Sequence, residues 1–297
     1  GPFTRVAAHL ASLGLSAPTI YAEDRAAGLL LLEDLGDDLF ATVVARAPDR
    51  ERTLYAAAID LLVALHSRPA PAWTLPYGPR EMADRAALAA IWYLPGASGD
   101  PADPRQVRSL RDACHAALAS AAPDTPVLAL RDYHAQNLVW LPERSDVARV
   151  GLLDFQDAMA GHPAYDLVSL LEDARRDVPE DLRGAMMARF AERSGIGAYR
   201  LAAAASVLAS QRALRILGVF ARLSMHFGKP AYVDLVPRVW DQLRRNLTHP
   251  VTDDLRRAVD ATLPAPTDEA LAALRARAGS CPDLAGPPGA PAGATSP

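Results

Sequence analysis

Lysine is almost missing from this chain: Lys229 is its one copy, and the other basic residues are arginines. Cysteine is nearly as scarce. Cys114 and Cys281 lie far apart without metal-ligand spacing, which excludes a disulfide framework and a thiolate zinc site and makes a reduced compartment the expectation. The histidines at 9, 115, 226 and 249 show no mutual ligand spacing either. There is no surplus of positive charge. A net charge of −4 and a pI near 6.0 offer no electrostatic footprint for nucleic acid or an anionic membrane. The N-terminus has no charged-then-apolar leader, and no apolar run reads as long enough to cross a bilayer, so a soluble, cytoplasmic protein is expected. The sequon-like Asn246-Leu247-Thr248 then carries no meaning. A Gly-x-Ser-x-Gly elbow is lacking, which removes the commonest route to Ser/His/Asp hydrolysis.

What the chain does have is length and apolar content. At 297 residues and 50% hydrophobic, it can bury a large core in one large or two linked domains. Residues 3–13 carry apolar positions at helical spacing and stop at Gly14. Residues 19–23 and 29–33 read as strands joined by a turn at 24–28. Ala/Leu-rich helices follow at 37–46, 51–67, 80–93 and 104–121, separated by Pro-containing loops such as 67–78 and 95–104. Short apolar runs at 127–130, 138–141 and 149–153 are strand-like inserts. Helices return at 163–174, 179–193, 198–225, 231–247 and 252–262, with a last one possible at 267–278. Residues 279–297, rich in Gly, Pro and Ala, cannot bury a core and are expected to be disordered. No internal repeat is visible.

The stretch Leu130-Arg131-Asp132-Tyr133-His134-Ala135-Gln136-Asn137, followed by Leu152-Leu153-Asp154, carries the most chemistry. An Asp and an Asn five positions apart, then a second Asp after an apolar strand, are what metal-assisted phosphoryl transfer needs. One carboxylate orients the attacking hydroxyl and accepts its proton; the Asn amide oxygen and the second carboxylate suit Mg²⁺, which prefers hard oxygen ligands. The chain has only two asparagines, Asn137 and Asn246, so this placement is unlike background. Asp132 and Asp154 might also suggest a glycosidase pair, but Asn137 then has no task.

These motifs resemble the aminoglycoside phosphotransferase and choline-kinase-like family, whose fold is similar to that of protein kinases. The matching residues are Asp132-x-x-x-x-Asn137, Asp154-Phe155-Gln156-Asp157, Gly161-His162-Pro163-x-x-Asp166-Leu167 and the run from Leu29 to Asp37. Asp154–Asp157 and Trp92-Tyr93-Leu94-Pro95 look most like the bacterial cell-wall amino-sugar kinases, which phosphorylate the anomeric hydroxyl of N-acetylmuramate or N-acetylglucosamine in peptidoglycan recycling. The resemblance covers roughly residues 3–250. It implies an α+β, bilobal, protein-kinase-like fold: residues 1–35 as remnant of the nucleotide-binding lobe and hinge, 36–262 as a helical catalytic lobe, and 263–297 as a terminal helix and tail. It implies ATP and Mg²⁺ as cofactors and a sugar as the small-molecule partner, without nucleic acid or membrane. Asp132 becomes the catalytic base, and Asn137 and Asp154 the metal ligands. Glu33, Asp34 and Leu35 lie along the adenine, and Asp166 and Arg131 support the catalytic loop. For substrate contact the candidates are His134, Asp157, Trp92, Tyr93 and Arg175, the last toward a carboxylate. Each has a plainer alternative: Trp92 and Tyr93 as core, Asp157 as a solvated loop residue, His66 as a helix-end histidine meeting the dipole.

The chain departs from that family in three ways. Leu130 stands where the family usually has His, which is tolerable because that His packs rather than reacts. Only 28 residues precede Leu29, with no Gly-rich turn and no strand Lys among them; arginine's planar fork is a poor stand-in for an ammonium. An opening Gly1-Pro2 that runs straight into a helix fits a fragment boundary or a cloning remnant, and weak activity is expected of such a chain. Finally, residues 1–22 hold no acidic residue to pair with a strand Lys. The rival readings are an aminoglycoside or other small-alcohol kinase, and a non-catalytic kinase-like module that binds a sugar or a protein.

Overall fold

Helical periodicity becomes helix almost wherever the sequence shows it. Helix α1 (Pro2–Ser12) leads to an antiparallel hairpin, β1 (Ile20–Asp24) and β2 (Leu29–Leu32), and then to α2 (Phe40–Arg46) and α3 (Glu51–His66). Next come α4 (Pro79–Ala86), a π-helical turn over Ala89–Tyr93 that continues into α5 (Leu94–Ser98), and α6 (Pro104–Ser120). Four short strands follow: β3 (Val127–Ala129), β4 (Leu138–Trp140), β5 (Val150–Leu152) and β6 (Met159–Gly161). Then α7 (Ala164–Leu171), α8 (Glu180–Ser194), α9 (Ala198–Met225), α10 (Val236–Asn246), α11 (Asp253–Thr262) and α12 (Asp268–Ala276) complete the order. The structure, a computed structural model, describes residues 1–121 and 125–281, so most of the tail expected to be disordered lies outside the described residues.

The described residues divide into two compact units, each discontinuous in sequence: 1–77 with 125–205, and 78–121 with 206–281. Residues 1–35 share the first unit with the Asp132 loop, so no boundary between compact units falls at 35.

In the first unit α3 is the central element. Leu54, Ala58, Leu61, Leu62 and Leu65 recur at helical spacing and are all buried. Helix α7 is buried on every side, including its two polar residues Asp166 and Ser169. A helix without a wet face must find partners for such groups, and both turn to the neighbouring loop, as described below. Strands β3 and β6 pair antiparallel, as do β4 and β5.

The structure adds to and corrects the element reading. Strand β6 was not anticipated, because Met159-Ala160-Gly161 has little intrinsic strand preference. Its partners create it: β3 on one side, and on the other a second pair of backbone bonds, Tyr77 N to Ala160 O and Ala160 N to Leu75 O (2.7 and 2.8 Å). The loop expected from Pro95 is helical up to Ser98. Pro95 directly follows the π-helical turn, and Gly99 ends the helix at φ 87°. In the second unit Asp103 caps α6, its carboxylate accepting from Arg105 N at 2.8 Å beside Pro104. The expectation of no membrane-length apolar segment is also corrected: α9 is long and apolar enough by length and composition, yet 78% of its most apolar window is buried within the protein.

Candidate active site

The catalytic-loop candidates follow β3 directly. Arg131 takes a left-handed backbone conformation (φ 74°), and so does Asp154 (φ 55°), which ends the segment leading out of β5. A left-handed non-glycine residue costs on the order of 1–3 kcal/mol and survives only where surrounding contacts impose it. Here the contacts are explicit. Asp166, fully buried in α7, accepts from Leu130 N through Oδ2 (2.7 Å) and from Arg131 N through Oδ1 (2.8 Å). Ser169, one turn further on, donates from Oγ to Arg131 O at 3.2 Å. One face of α7 thus holds the backbone on both sides of the strained Arg131. The Arg131 guanidinium then donates to Asp157 O at 3.1 Å and lies 5.1 Å from the centre of the Tyr77 ring, tying the Asp132 loop to the Asp154–Asp157 loop.

Across this frame the expected ligands meet. Asn137 Nδ2 donates to Asp132 O at 2.9 Å and lies 3.4 Å from Asp154 Oδ2. With its nitrogen committed to the loop carbonyl, the Asn137 amide keeps its oxygen for another partner beside the Asp154 carboxylate. Asp132 and Asn137 are half-buried and Asp154 is exposed, so the group stands at a surface. Among the described residues no cluster of three or more His, Cys, Asp or Glu side chains could hold a metal ion. An amide oxygen with one neighbouring carboxylate nevertheless fits Mg²⁺, which is held by few protein groups and completes its shell with phosphates and water. Phe155 anchors the second loop: it is 1% exposed and stacks on Phe3 of α1 at 4.9 Å between centroids.

Electrostatics are sharpest behind the loop. His66 Nε2 lies 3.9 Å from Asp166 Oδ2, and both side chains are buried. Burial pushes the Asp166 carboxyl up to about 7, against the pull of its two backbone donors, and burial drives the His66 imidazole down to about 3. Each partner is favoured neutral, and the pair is better described as a buried polar contact than as a salt bridge.

The expected hinge is held by side chains. Glu33 accepts from Thr19 N (3.0 Å), Thr19 Oγ1 (2.8 Å) and Arg144 Nη2 (2.6 Å), and these bonds, Thr19 foremost, hold its carboxyl below the ordinary range. Asp34 Oδ1 accepts from Gly36 N at 2.8 Å and stays exposed. Leu35 packs on β5: a Cβ added at Gly151 would lie 3.0 Å from Leu35 Cδ1, a close approach.

Several expected substrate contacts are placed elsewhere. Trp92 and Tyr93 lie in the π-helical turn of the second unit, 2% and 0% exposed. The Tyr93 hydroxyl donates to Pro264 O at 2.9 Å. With their faces taken by protein neighbours, they follow the core alternative. His134 is buried, its Nε2 3.4 Å from Asn137 Nδ2, so it backs the loop. Arg175 is exposed, its backbone N donating to Asp173 Oδ1 at 2.8 Å, and Asp157 is exposed beside the Asp154 loop. Sequence reading missed Gln156, whose amide reaches Asp154, and Arg144 and Ser169, whose roles depend on contacts remote in sequence.

This arrangement defines a phosphotransferase of the kinase-like fold. Residues 2–205 match the model of the phosphotransferase enzyme family known as APH, and the chain belongs to that family. Among its relatives is an N-acetylmuramate/N-acetylglucosamine kinase of Caulobacter vibrioides, 39% identical over 89% of this chain and 75% of that protein. A kinase of the same name from Pseudomonas aeruginosa is 30% identical over 82% of this chain and 72% of its own length. The fold is shared with a crystal structure from Ralstonia eutropha JMP134 of a protein assigned to the aminoglycoside phosphotransferases. That likeness has a TM-score of 0.52 at 14% identity and covers 89% of this chain and 84% of the other.

Proposed function

We propose that the protein transfers the γ-phosphoryl group of ATP, with Mg²⁺, to a sugar hydroxyl, and that the sugar is a cell-wall amino sugar of the N-acetylmuramate or N-acetylglucosamine type. The observation that carries the reading is the meeting of Asn137 and Asp154 beside Asp132, on a loop held by Asp166. The names of the relatives supply the acceptor class.

In this reading Asp132 orients the acceptor hydroxyl and takes its proton as the oxygen attacks phosphorus. Asn137 through its amide oxygen and Asp154 through its carboxylate are the groups that would hold Mg²⁺, which when bound neutralises charge on the phosphates. Asp166, Ser169 and Arg131 keep the loop in its strained form, so that little reorganisation accompanies the reaction. Glu33 to Leu35 would receive the adenine, with Asp157 and Arg175 as the exposed candidates nearest in sequence for sugar contact. The protein would act in the cytoplasm, returning wall sugars to use.

A panel of N-acetylmuramate, N-acetylglucosamine, kanamycin, choline and homoserine, assayed by ADP release, tests the acceptor. Turnover confined to the two N-acetyl sugars is expected; preference for kanamycin or choline would replace the sugar reading. One observation favours a non-catalytic alternative: the one lysine, Lys229, follows the candidate adenine segment by some two hundred positions instead of preceding it. ADP release from none of the five would support it.

A further inference from the structure

Asp154 is a metal-side carboxylate in an unusual setting. It is exposed, sits on a left-handed backbone, and belongs to a loop whose neighbouring anchor is the buried Phe155. An exposed carboxylate rotates freely unless something holds it, and a freely rotating ligand must be ordered each time a cation binds. Asn137 provides one weak hold at 3.4 Å on Oδ2. Gln156 provides the strong one: its Nε2 donates to Asp154 Oδ1 at 2.6 Å, across the two residues that flank Phe155. The nitrogen is the only amide atom that can face a carboxylate at that distance, because the oxygen would repel it. Phe155 is buried, Asp154 exposed and Gln156 half-buried, and the side-chain bond joins the two residues on either side of the buried ring.

The chemical type of the donor matters as much as its position. Arginine or lysine in this place would hold Asp154 equally well but would cancel the charge that attracts a cation. An amide orients the carboxylate and leaves its full negative charge. Donors around metal ligands are commonly worth 10–100-fold in metal affinity.

We propose that Gln156 is a positioning residue for the cation site: a neutral donor that holds Asp154 Oδ1 and so presents Asp154 Oδ2, beside the Asn137 amide, to the divalent ion. This rests on the reading of Asn137 and Asp154 as metal ligands, and the test separates the two claims.

The experiment is a Mn²⁺ titration of the 297-residue protein, followed by electron paramagnetic resonance, on wild type, Gln156→Leu, Gln156→Lys and Asp154→Ala. Leucine keeps the bulk and removes the donor; roughly tenfold weaker Mn²⁺ binding is expected, with the metal-free melting temperature unchanged. Lysine keeps a donor but adds charge, and should bind Mn²⁺ more weakly than leucine does. Wild-type Mn²⁺ affinity in Gln156→Leu, with loss in Asp154→Ala, would overturn the role of Gln156 and leave the metal site standing. Equal Mn²⁺ binding by wild type and Asp154→Ala would instead remove the metal site itself. If Gln156→Leu melts early without metal, Gln156→Lys decides: Mn²⁺ affinity equal to wild type would overturn the proposal.

Discussion

His66 Nε2 and Asp166 Oδ2 face each other at 3.9 Å in the interior, directly behind the loop that carries Asp132. Burial favours the neutral form of both, and the consequences for stability run in opposite directions with pH. The folded pKa of His66, about 3, lies below the ordinary imidazole value of 6.5. Its contribution is complete above pH 6.5 and is lost as pH falls toward 3. The folded pKa of Asp166, about 7, lies above the ordinary carboxyl value of 3.8; its contribution is complete below 3.8 and is lost as pH rises through 7. Urea unfolding from pH 4 to 8 separates them. The stability gap between wild type and His66→Gln should narrow on acidification, and the gap between wild type and Asp166→Asn should narrow on alkalinisation. Gaps that stay flat with pH would contradict the buried neutral pair.

Packing in the second unit gives a prediction independent of chemistry. A Cβ added at Gly218 of α9 would lie 2.4 Å from the carbonyl carbon of Leu88 and 2.6 Å from its oxygen, so backbone must move. Gly218→Ala should cost about 1–3 kcal/mol, the usual range for overpacking. Gly184, exposed within α8, has nothing within 4 Å of such an atom. There Gly184→Ala should stabilise by roughly 0.5–1 kcal/mol through helix propensity. Chemical denaturation of the two variants checks the pair, and equal effects would count against the close approach of residues 88 and 218.

Much of this is legible in the sequence, and what is not has a physical reason. The helices α1, α3, α6, α8 and α9 follow from periodicity because their apolar spacing is local information. That Asn137 lies near both Asp132 and Asp154 was readable because the proposed chemistry asks for those residue types at a set interval. The α7 contacts of Asp166 with Leu130 and Arg131 were foreseen as support for the loop, but their bidentate form needed the buried helix to be seen. Strand β6 and the ion pair of Glu33 with Arg144 were illegible, since their partners come from distant segments. Trp92 and Tyr93 show the opposite error: large aromatics suit a sugar face and a core equally in sequence, and burial decides.

Nucleotide affinity should be low for these 297 residues. Within these residues no Gly-rich turn or lysine precedes Glu33–Leu35, the proposed adenine segment, so the chain as given offers the phosphates no compact ammonium there. Calorimetry with Mg²⁺–ATP should show no saturable isotherm below about 1 mM, equivalent to roughly −4 kcal/mol. Micromolar binding would show that another group, such as an arginine, takes the lysine's place.

Phosphoryl transfer itself is the most direct measurement. The protein is incubated with ATP, Mg²⁺ and N-acetylmuramate or N-acetylglucosamine, and the product is followed by ³¹P NMR over a long incubation. A sugar phosphate at the anomeric position is expected, slow for the wild-type chain and lowered by at least about two orders of magnitude in Asp132→Ala and Asp154→Ala, in line with the loss of a catalytic base or a metal ligand. Sugar phosphate formed at equal rates by the wild type and both variants would contradict the assignment of Asp132 and Asp154.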